Sequence, residues 1–345
     1  ASDVYKRQMV DGPSGPVCVV QAFEYTKVVG ELDVRFDADG NVTSCAGTPY
    51  MPIGDEFTKE VEIDGDDEDV PLEGAERQAA LDFVAGNPLL RVVEPKAATT
   101  AIIASYGEAV DELSKQVIGS ATEDMCIGRI PGDGRSELCT PEETGIKGGY
   151  IQQLVTECFL VRSFEADIAV QNSGGVRIDV PTGPVSIATA YELLPFSNTM
   201  VNIRMSGAEI KTVIEQGAAN AADPDGSTGA YPYAAGLRWD MDFSAADGQR
   251  VSNLEVQPRG STEWRPIDPA ATYTVVTNSF AASGGDLYLA FEEAVEDGRS
   301  VDTFLEYAQT FIDCVENDLD GSISQVADER YSTQSFTDAD GNFVG

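Results

Sequence analysis

Residues 167–177 read Asp-Ile-Ala-Val-Gln-Asn-Ser-Gly-Gly-Val-Arg, and this stretch does most to define the fold. Residues 167–171 are apolar enough to form a buried strand, and a glycine turn follows at once. Small residues in such a turn let backbone N–H groups approach a ligand closely, and Arg177 would emerge beside them. Taken alone, a glycine-rich turn favours a structural role, so its meaning depends on the segments around it.

Strand and helix patterns alternate around this stretch, from Cys126 to about Asn317. Strand patterns cover residues 199–205, 237–243, 251–256 and 272–278, and helical patterns cover residues 188–194, 208–219, 286–295 and 301–316. Strands interleaved with helices predict an α/β domain with a mixed sheet over residues 121–319. The polar residues 320–345 are expected to pack loosely, with a turn at 338–341.

The residues before this domain differ in character. Residues 17–36 predict a strand pair, followed by a turn at 37–41 (DADGN). That pair is too small to be a domain, so residues 9–50 are interpreted as the trailing edge of a domain that begins upstream.

Residues 51–120 are expected to hold an acidic loop and linker helices. The loop, residues 56–73, fits a solvated charged loop better than a Ca²⁺ site, because no Asp-x-Asp-x-Asp-Gly spacing is kept. Helical periodicity covers residues 75–85 and 97–116, and the second helix is predicted to connect two bodies.

Composition narrows the function classes. The chain has 345 residues, enough for about two domains, with 59 acidic against 22 basic side chains and a net charge of −37. Such a charge repels nucleic acids and anionic membranes, so neither is expected as a partner. Because there is no histidine, a Ser-His-Asp triad, a histidine-assisted metal hydrolase centre and a histidine general base within this chain are all excluded.

The start of the chain has an artificial character. Residues 3–8 back-translate to the transposon end used in sequencing libraries, so residues 1–8 (ASDVYKRQ) are predicted to be a cloning or assembly scar rather than a natural hydrophilic start. A signal peptide would then belong to the part of the gene that is missing.

Two cysteine pairs bracket short segments. Cys126 and Cys139 enclose a Pro/Gly loop, and Cys18 and Cys45 flank a predicted hairpin, so each pair could form a disulfide. This pattern favours an oxidising, exported setting, periplasmic or extracellular.

Cys158 and Cys314 lie instead in helical patterns, and the expectation for them is buried free thiols. No run approaches the roughly 20 apolar residues of a membrane span, so none is predicted.

Three further segments place aromatic or charged residues beside turns. LPFSN contains Phe196, NSFAASGGD contains Phe280 and Asp286, and the loop between the middle cysteines contains Arg129 and Arg135. Each residue also has a structural explanation, as a core phenylalanine, a surface arginine or a member of an ion pair.

As a set, the four segments resemble the C-terminal, substrate-binding domain of the 5′-nucleotidase family of exported nucleotidases and UDP-sugar hydrolases. The motifs Asn-x-Gly-Gly-x-Arg, Pro-Phe-x-Asn and Asn-x-Phe-x-x-x-Gly-Gly-Asp occur in that order, within residues 126–316. Residues 19–42 are similar to the last hairpin of the family's N-terminal metallophosphoesterase domain. Residues 97–116 fall where the family has its interdomain connector.

The resemblance implies a nucleotide pocket. Phe196 and Phe280 would sandwich the base, and Asp286 would bind the ribose hydroxyls. Arg177 and Arg135 would hold the phosphate, with Arg129 as a companion at a spacing that differs from the family's. The remaining substrate-binding positions would be Asn172, Gly174 and Gly175.

The resemblance also implies what this chain does not supply. In the family, two divalent metal ions bound by Asp, His and Asn of the N-terminal domain cleave the phosphoester bond. We therefore expect the C-terminal part of an exported nucleotide hydrolase, with no catalytic residue or metal site of its own. Alternatives are a stand-alone nucleotide- or nucleoside-binding module, and a related enzyme acting on 2′,3′-cyclic nucleotides, 3′-nucleotides or UDP-sugars. The sequence leaves the oligomeric state open.

Overall fold

The computed structural model describes residues 6–12, 15–22, 27–63, 66–145 and 147–344. These residues fall into two compact units, Ala1–Tyr106 and Gly107–Gly345. A helix, Ala97–Ser114, crosses the boundary between the units, and this confirms the helix predicted over residues 97–116.

The first unit is built mainly from antiparallel hairpins. Its elements are β1 (Lys6–Gly12), β2 (Gly15–Gln21), β3 (Val29–Phe36), β4 (Val42–Ile53), β5 (Thr58–Ile63), β6 (Asp66–Pro71), α1 (Gly74–Gly86) and β7 (Leu90–Val92), followed by α2 (Ala97–Ser114). The two strands predicted within residues 17–36 are present as β2 and β3. In the described residues, however, β2 pairs with β1 and β3 pairs with β4, so the prediction that they pair with each other is wrong. Alternation identifies strands but does not identify their partners.

Strands β3 and β4 are joined by the predicted turn. The Oδ1 atom of Asp37 accepts hydrogen bonds from the N–H groups of Asp39 at 2.9 Å and Asn41 at 2.8 Å. The disulfide Cys18–Cys45 links β2 to β4, as predicted.

The acidic segment predicted as a loop is a hairpin instead. Strand β5 pairs antiparallel with β6, in register from Thr58 opposite Pro71 to Ile63 opposite Asp66. The hydrogen bonds between strands join backbone groups, so acidic side chains do not prevent a strand from forming. They do hide the alternation of apolar and polar residues by which a strand is recognised in a sequence.

The second unit has the predicted mixed α/β architecture. Its elements are β8 (Val117–Ala121), α3 (Pro141–Thr144), α4 (Tyr150–Arg162), β9 (Ile168–Asn172), β10 (Gly183–Ser186), α5 (Ile187–Leu193), β11 (Thr199–Ser206), α6 (Gly207–Ala222), β12 (Pro232–Ala235), β13 (Leu237–Asp242), β14 (Val251–Val256), β15 (Arg265–Pro266), β16 (Thr272–Asn278), α7 (Ser279–Ala282), α8 (Leu289–Glu296), β17 (Ser300–Glu306), α9 (Tyr307–Asn317), β18 (Ser322–Ile323) and β19 (Thr333–Thr337). The central sheet has the order β12-β9-β16-β11-β17, and β9 and β16 run parallel in it.

Helices cover both faces of the central sheet. Ile168 and Val170 of β9 pack into the same core as α6, whereas Ala169 packs into the core that contains α4 and α9. This alternation follows from the two-residue period of a strand, and it buries the sheet on both sides.

Smaller sheets complete the second unit, and one of them includes the chain's last strand. Strand β19 runs parallel to β13 in a four-stranded sheet, and Phe336 is only 2% exposed. The ring centroids of Phe336 and Phe243 lie 5.1 Å apart. The prediction of a loosely packed polar tail is therefore wrong, because the buried side chain of Phe336 anchors this polar segment in the core that contains Phe243. The turn predicted at 338–341 is present, with the Asp338 carboxylate accepting from the Asp340 N–H.

Two predicted helices have different bounds. Residues 301–306 belong to the edge strand β17, which pairs with β11, and the helix α9 begins only at Tyr307. The helix predicted from residue 286 begins at Leu289, because Asp286 and Leu287 adopt left-handed φ angles of 54° and 65°. Helix α4 was predicted only as a helical pattern around Cys158, without bounds.

The prediction of free thiols at Cys158 and Cys314 is also wrong. Both residues are buried, as their helical patterns indicate, but α4 and α9 pack together and the two cysteines form a disulfide. Cys126 and Cys139 form the predicted disulfide. Within the described ranges no helix is long and apolar enough to span a membrane.

Candidate functional site

Two parallel strands end side by side at one edge of the central sheet. Asn172 is the last residue of β9 and Asn278 is the last residue of β16. Parallel strands bring their carboxyl ends to the same edge, where α/β proteins usually bind ligands. A 3₁₀ turn, Ser173–Gly175, follows the first strand, and α7 follows the second.

A cavity of about 200 Å³ opens at this edge. The lining brings together eight of the nine predicted site residues with three others: Arg129, Asn172, Gly174, Gly175, Arg177, Phe196, Asn198, Ser227, Gly229, Phe280 and Asp286. Elements far apart in sequence thus contribute aromatic, acidic and basic side chains to one concave surface.

The two phenylalanines reach the cavity from different loops. Phe280 lies on α7 and is 43% exposed. Its ring rests on Gly285, where an added Cβ would come within 2.6 Å of it, so any larger residue at that position would displace the ring. Phe196 is half-buried after α5, and the Arg177 guanidinium carbon lies 5.8 Å from its ring centre. Exposed aromatic faces in a cavity suit a flat ligand.

Asp286 supplies the one carboxylate among the described residues that line the cavity, and hydrogen bonds hold both its backbone and its side chain. Asn220 Nδ2 donates to the Asp286 carbonyl oxygen at 2.8 Å, and Asn172 Nδ2 donates to Asp286 Oδ2 at 2.8 Å. Burial raises the pKa of Asp286, while the Asn172 hydrogen bond and the Arg129 charge act against that rise.

Arg129 lies in a loop that is fixed at several points. The Asp133 carboxylate accepts from the N–H of Arg129 at 3.0 Å and from the N–H of Arg135 at 3.2 Å. The disulfide Cys126–Cys139 closes the same loop. Burial lowers the pKa of Arg129, and the positive charges of Arg135 and Arg177 lower it further. This side chain is therefore held where an anion would relieve charge repulsion.

Arg177 follows the glycine turn, and its Nη1 donates to the Gly174 carbonyl oxygen at 3.3 Å. Arg135 is exposed and lies outside the cavity. It lines an adjoining, more open cavity of about 580 Å³, to which Arg177 also contributes. The structure thus places Arg135 next to the predicted site rather than within it.

The two glycines of the turn permit close packing beneath the cavity. A Cβ on Gly174 would meet the Gly229 Cα at 3.0 Å, and a Cβ on Gly175 would overlap Gln171 and Tyr307. Both positions need glycine for steric reasons.

Three lining residues were not predicted. Asn198 stands in the LPFSN segment, whose motif signals it, but Phe196 alone was selected there. Ser227 and Gly229 lie in a Gly/Ser turn with no distinguishing pattern, and only tertiary packing against Gly174 brings Gly229 to the site.

The cavity's donor set does not suit a metal ion. Across the described parts of the chain, no group of three or more Cys, Asp or Glu residues is placed to hold one, and the sequence has no histidine. The arrangement can bind a ligand that combines a flat ring, hydroxyl groups and an anionic group.

Known proteins share this sequence pattern. The family model described as "5'-nucleotidase, C-terminal domain" matches residues 117–293. A probable 5′-nucleotidase of Treponema pallidum is 35% identical over 315 residues, covering 89% of this chain and 51% of that protein. An NAD 5′-nucleotidase of Haemophilus influenzae is 31% identical over 304 residues, covering 87% of this chain and 49% of that protein. The chain therefore spans about half the length of the curated relatives it matches.

Solved structures share the fold. The NAD nucleotidase of Haemophilus influenzae aligns with a TM-score of 0.57 at 29% identity, covering 96% of this chain and 57% of that one. A 5′-nucleotidase precursor of Thermus thermophilus aligns with a TM-score of 0.55 at 28% identity, covering 94% and 53%. The mixed α/β architecture is therefore shared with these proteins.

Proposed function

The chain belongs to the 5′-nucleotidase family, and on this premise we propose that its cavity binds the base, ribose and phosphate of a nucleotide. The observation that supports this most is the convergence of two phenylalanines, one carboxylate and two arginines on one cavity. Each group matches one part of a nucleotide.

The base lies between Phe196 and Phe280. Stacking of a base on an aromatic ring contributes roughly 1–3 kcal/mol and tolerates different bases. The exposed Phe280 ring can accept a base without moving the core, since it stands on Gly285 at the surface.

The ribose is bound by Asp286. An ionised carboxylate can accept hydrogen bonds from two vicinal hydroxyls, whereas an amide offers only one oxygen. In the described structure Asp286 Oδ2 accepts from Asn172 and no residue bonds to Oδ1, so acceptor capacity is available to a ligand.

The phosphate is held by Arg129 and Arg177, with Arg135 beside them. A protein with a net charge of −37 repels a nucleotide at long range, so binding needs a local cationic cluster. Guanidinium groups bind phosphate through paired N–H donors, which favours arginine over lysine here.

The intact protein is, in this proposal, an exported hydrolase of nucleotides. Two divalent metal ions held by a preceding domain would supply the phosphoester chemistry. The described residues of this chain do not fit a metal site, so no hydrolytic step is assigned to them. The three disulfides support an oxidising compartment.

The purified chain is accordingly expected to release no phosphate from adenosine 5′-monophosphate with Mg²⁺, Mn²⁺, Co²⁺ or Zn²⁺ added. The reason is that no group of residues in the described parts of the chain is placed to hold a metal ion. A malachite-green assay measures the release, with an active 5′-nucleotidase as the positive control. Metal-dependent phosphate release that co-purifies with the chain would contradict the proposal that this chain binds the nucleotide and a preceding domain cleaves it.

Asp286→Asn is expected to weaken adenosine binding about tenfold or more while leaving 2′,3′-dideoxyadenosine binding unchanged, because one carboxylate–hydroxyl bond is lost. Wild-type adenosine binding should also fall as the pH is lowered through a pKa above that of an ordinary aspartate, because the protonated carboxyl loses an acceptor. Isothermal titration calorimetry from pH 4 to 8 measures both effects. Equal affinities of wild type for the two nucleosides would refute the ribose assignment.

The same substitution should not destabilise the protein. Because the folded-state pKa is raised, the native state binds more protons than the unfolded state, and the free energy of unfolding decreases as the pH rises through this range. Asparagine carries no charge, so at neutral pH the variant avoids the free-energy cost of burying an ionised carboxylate. Asparagine also tolerates the left-handed φ of 54° at this position. Urea unfolding at pH 7 should give Asp286→Asn a free energy of unfolding no lower than that of wild type.

A further inference from the structure

A network of buried amide side chains lies beneath the cavity. Gln171 and Asn278 are fully buried, and Asn172 is 5% exposed. Each amide has one accepting and one donating end, so a bond made at one end determines what the other end can do.

The backbone fixes the orientation of Asn278. The Ala281 N–H, which can only donate, bonds to Asn278 Oδ1 at 2.9 Å. Asn278 Nδ2 must therefore point the other way, and it donates to Gln171 Oε1 and Asn172 Oδ1, both at 2.9 Å. Both of its hydrogens are used.

The orientation of Asn278 determines that of Asn172, which contacts Asp286. Because Asn172 Oδ1 faces a donor, its Nδ2 faces Asp286 Oδ2 and donates to it at 2.8 Å. The carboxylate oxygen must in turn accept. The direction of hydrogen bonding thus runs without a break from a backbone N–H of α7 to the acidic residue of the cavity.

Gln171 reinforces the same direction from the other side. Its Nε2 donates to the Asn172 carbonyl oxygen at 2.9 Å and to the Tyr307 hydroxyl, so its Oε1 is left to accept from Asn278. If the Asn278 amide were rotated to exchange its oxygen and nitrogen, its Nδ2 would face the Ala281 N–H, a second donor. Its Oδ1 would face Gln171 Oε1, a second acceptor.

From this geometry we propose that Asn278 is a positioning residue, which holds Asp286 as a hydrogen-bond acceptor through Asn172 and so selects ligands that carry vicinal hydroxyl donors. The proposal rests on the nucleotide-binding function given above. It assigns selectivity for the ribose to a buried side chain that does not line the cavity.

Asn278→Asp tests the direction of bonding with almost no change in shape. One oxygen of the new carboxyl group accepts from the Ala281 N–H, and the other meets two acceptors with at most one proton. Asn172 is then driven to turn its oxygen toward Asp286. We expect the preference for adenosine over 2′,3′-dideoxyadenosine, about tenfold or more in wild type, to fall to near unity.

A pH profile adds a readout that loss of packing would not change. Among the described residues, the titratable groups that face Asp286 or share the cavity with it are Arg129, Arg177 and Tyr288, and burial raises the pKa of Tyr288. Arg129 is the one charged residue of the described structure whose field shifts the pKa of Asp286, so the fall in wild-type adenosine binding at low pH reports on Asp286. In Asn278→Asp this fall should move to higher pH.

Thr277→Val is the matched control. Thr277 precedes Asn278 in β16, is fully buried, and its hydroxyl has no partner in the described structure. It should keep the wild-type nucleoside preference and pH profile. Should Asn278→Asp fail to fold, Asn172→Asp places an acceptor opposite Asp286 directly and should show the same loss of preference.

Calorimetric titration of the whole chain with adenosine and 2′,3′-dideoxyadenosine separates the outcomes. If wild type shows no preference, the proposed ribose site fails and this inference fails with it. If wild type shows the preference and either Asn278→Asp or, where that variant does not fold, Asn172→Asp retains it, only the inference is overturned. A loss in Thr277→Val equal to that in Asn278→Asp would attribute the effect to strand packing and also overturn it.

Discussion

Replacing Phe280 by alanine is expected to weaken binding of adenosine 5′-monophosphate by roughly 1–3 kcal/mol, or about 5- to 150-fold. The ring supplies one face of the proposed base slot. It is 43% exposed and packs on Gly285 rather than into the core, so its removal should leave stability nearly unchanged. Isothermal titration calorimetry measures the affinity, and circular dichroism verifies the fold.

Phe304→Ala provides a matched control for this experiment. Phe304 is a phenylalanine of the same domain, 82% exposed on β17 and outside the cavity lining. It should bind the nucleotide with wild-type affinity. Equal affinities of wild type and Phe280→Ala would show that the exposed ring is not part of the site.

The second large effect concerns stability. Replacing Cys158 and Cys314 together by alanine should lower the free energy of unfolding by about 5 kcal/mol, since the disulfide closes a loop across a sequence separation of 156 residues. It joins α4 to α9, which pack on the same face of the central sheet. Guanidinium unfolding followed by circular dichroism measures the loss.

The disulfide Cys126–Cys139 gives the comparison. It spans only 13 residues, for which the same loop-closure argument predicts a loss of about 3 kcal/mol in the double alanine variant. A larger loss from this pair than from Cys158–Cys314 would contradict the chain-entropy explanation. It would point instead to local strain or to the loop that holds Arg129.

Elements with a strong period of their own were predictable from sequence. Residues 199–205 and 272–278 were expected as strands and form β11 and β16 with bounds within one residue. The sequence also indicated most residues that line the candidate cavity, because Asn172, Arg177, Phe196, Phe280 and Asp286 lie in or next to turns with glycine or proline that follow such elements.

Elements fixed by distant partners were not predictable. Residues 301–306 carry apolar residues at spacings that also suit a helix, and they become a strand because β11 offers an unpaired edge about 100 residues earlier in the chain. Phe336 and Cys158 likewise depend on partners that no local pattern identifies.

The enclosure of the base by Phe196 and Phe280 is tested most directly by a nuclear Overhauser measurement on the chain, labelled on phenylalanine rings and saturated with adenosine 5′-monophosphate. We predict cross-peaks from the adenine H2 and H8 protons to two phenylalanine rings, one lost in Phe280→Leu and the other in Phe196→Leu. Adenine cross-peaks that persist unchanged in both variants, or bound nucleotide with no phenylalanine contact, would contradict the central claim that these two rings enclose the base.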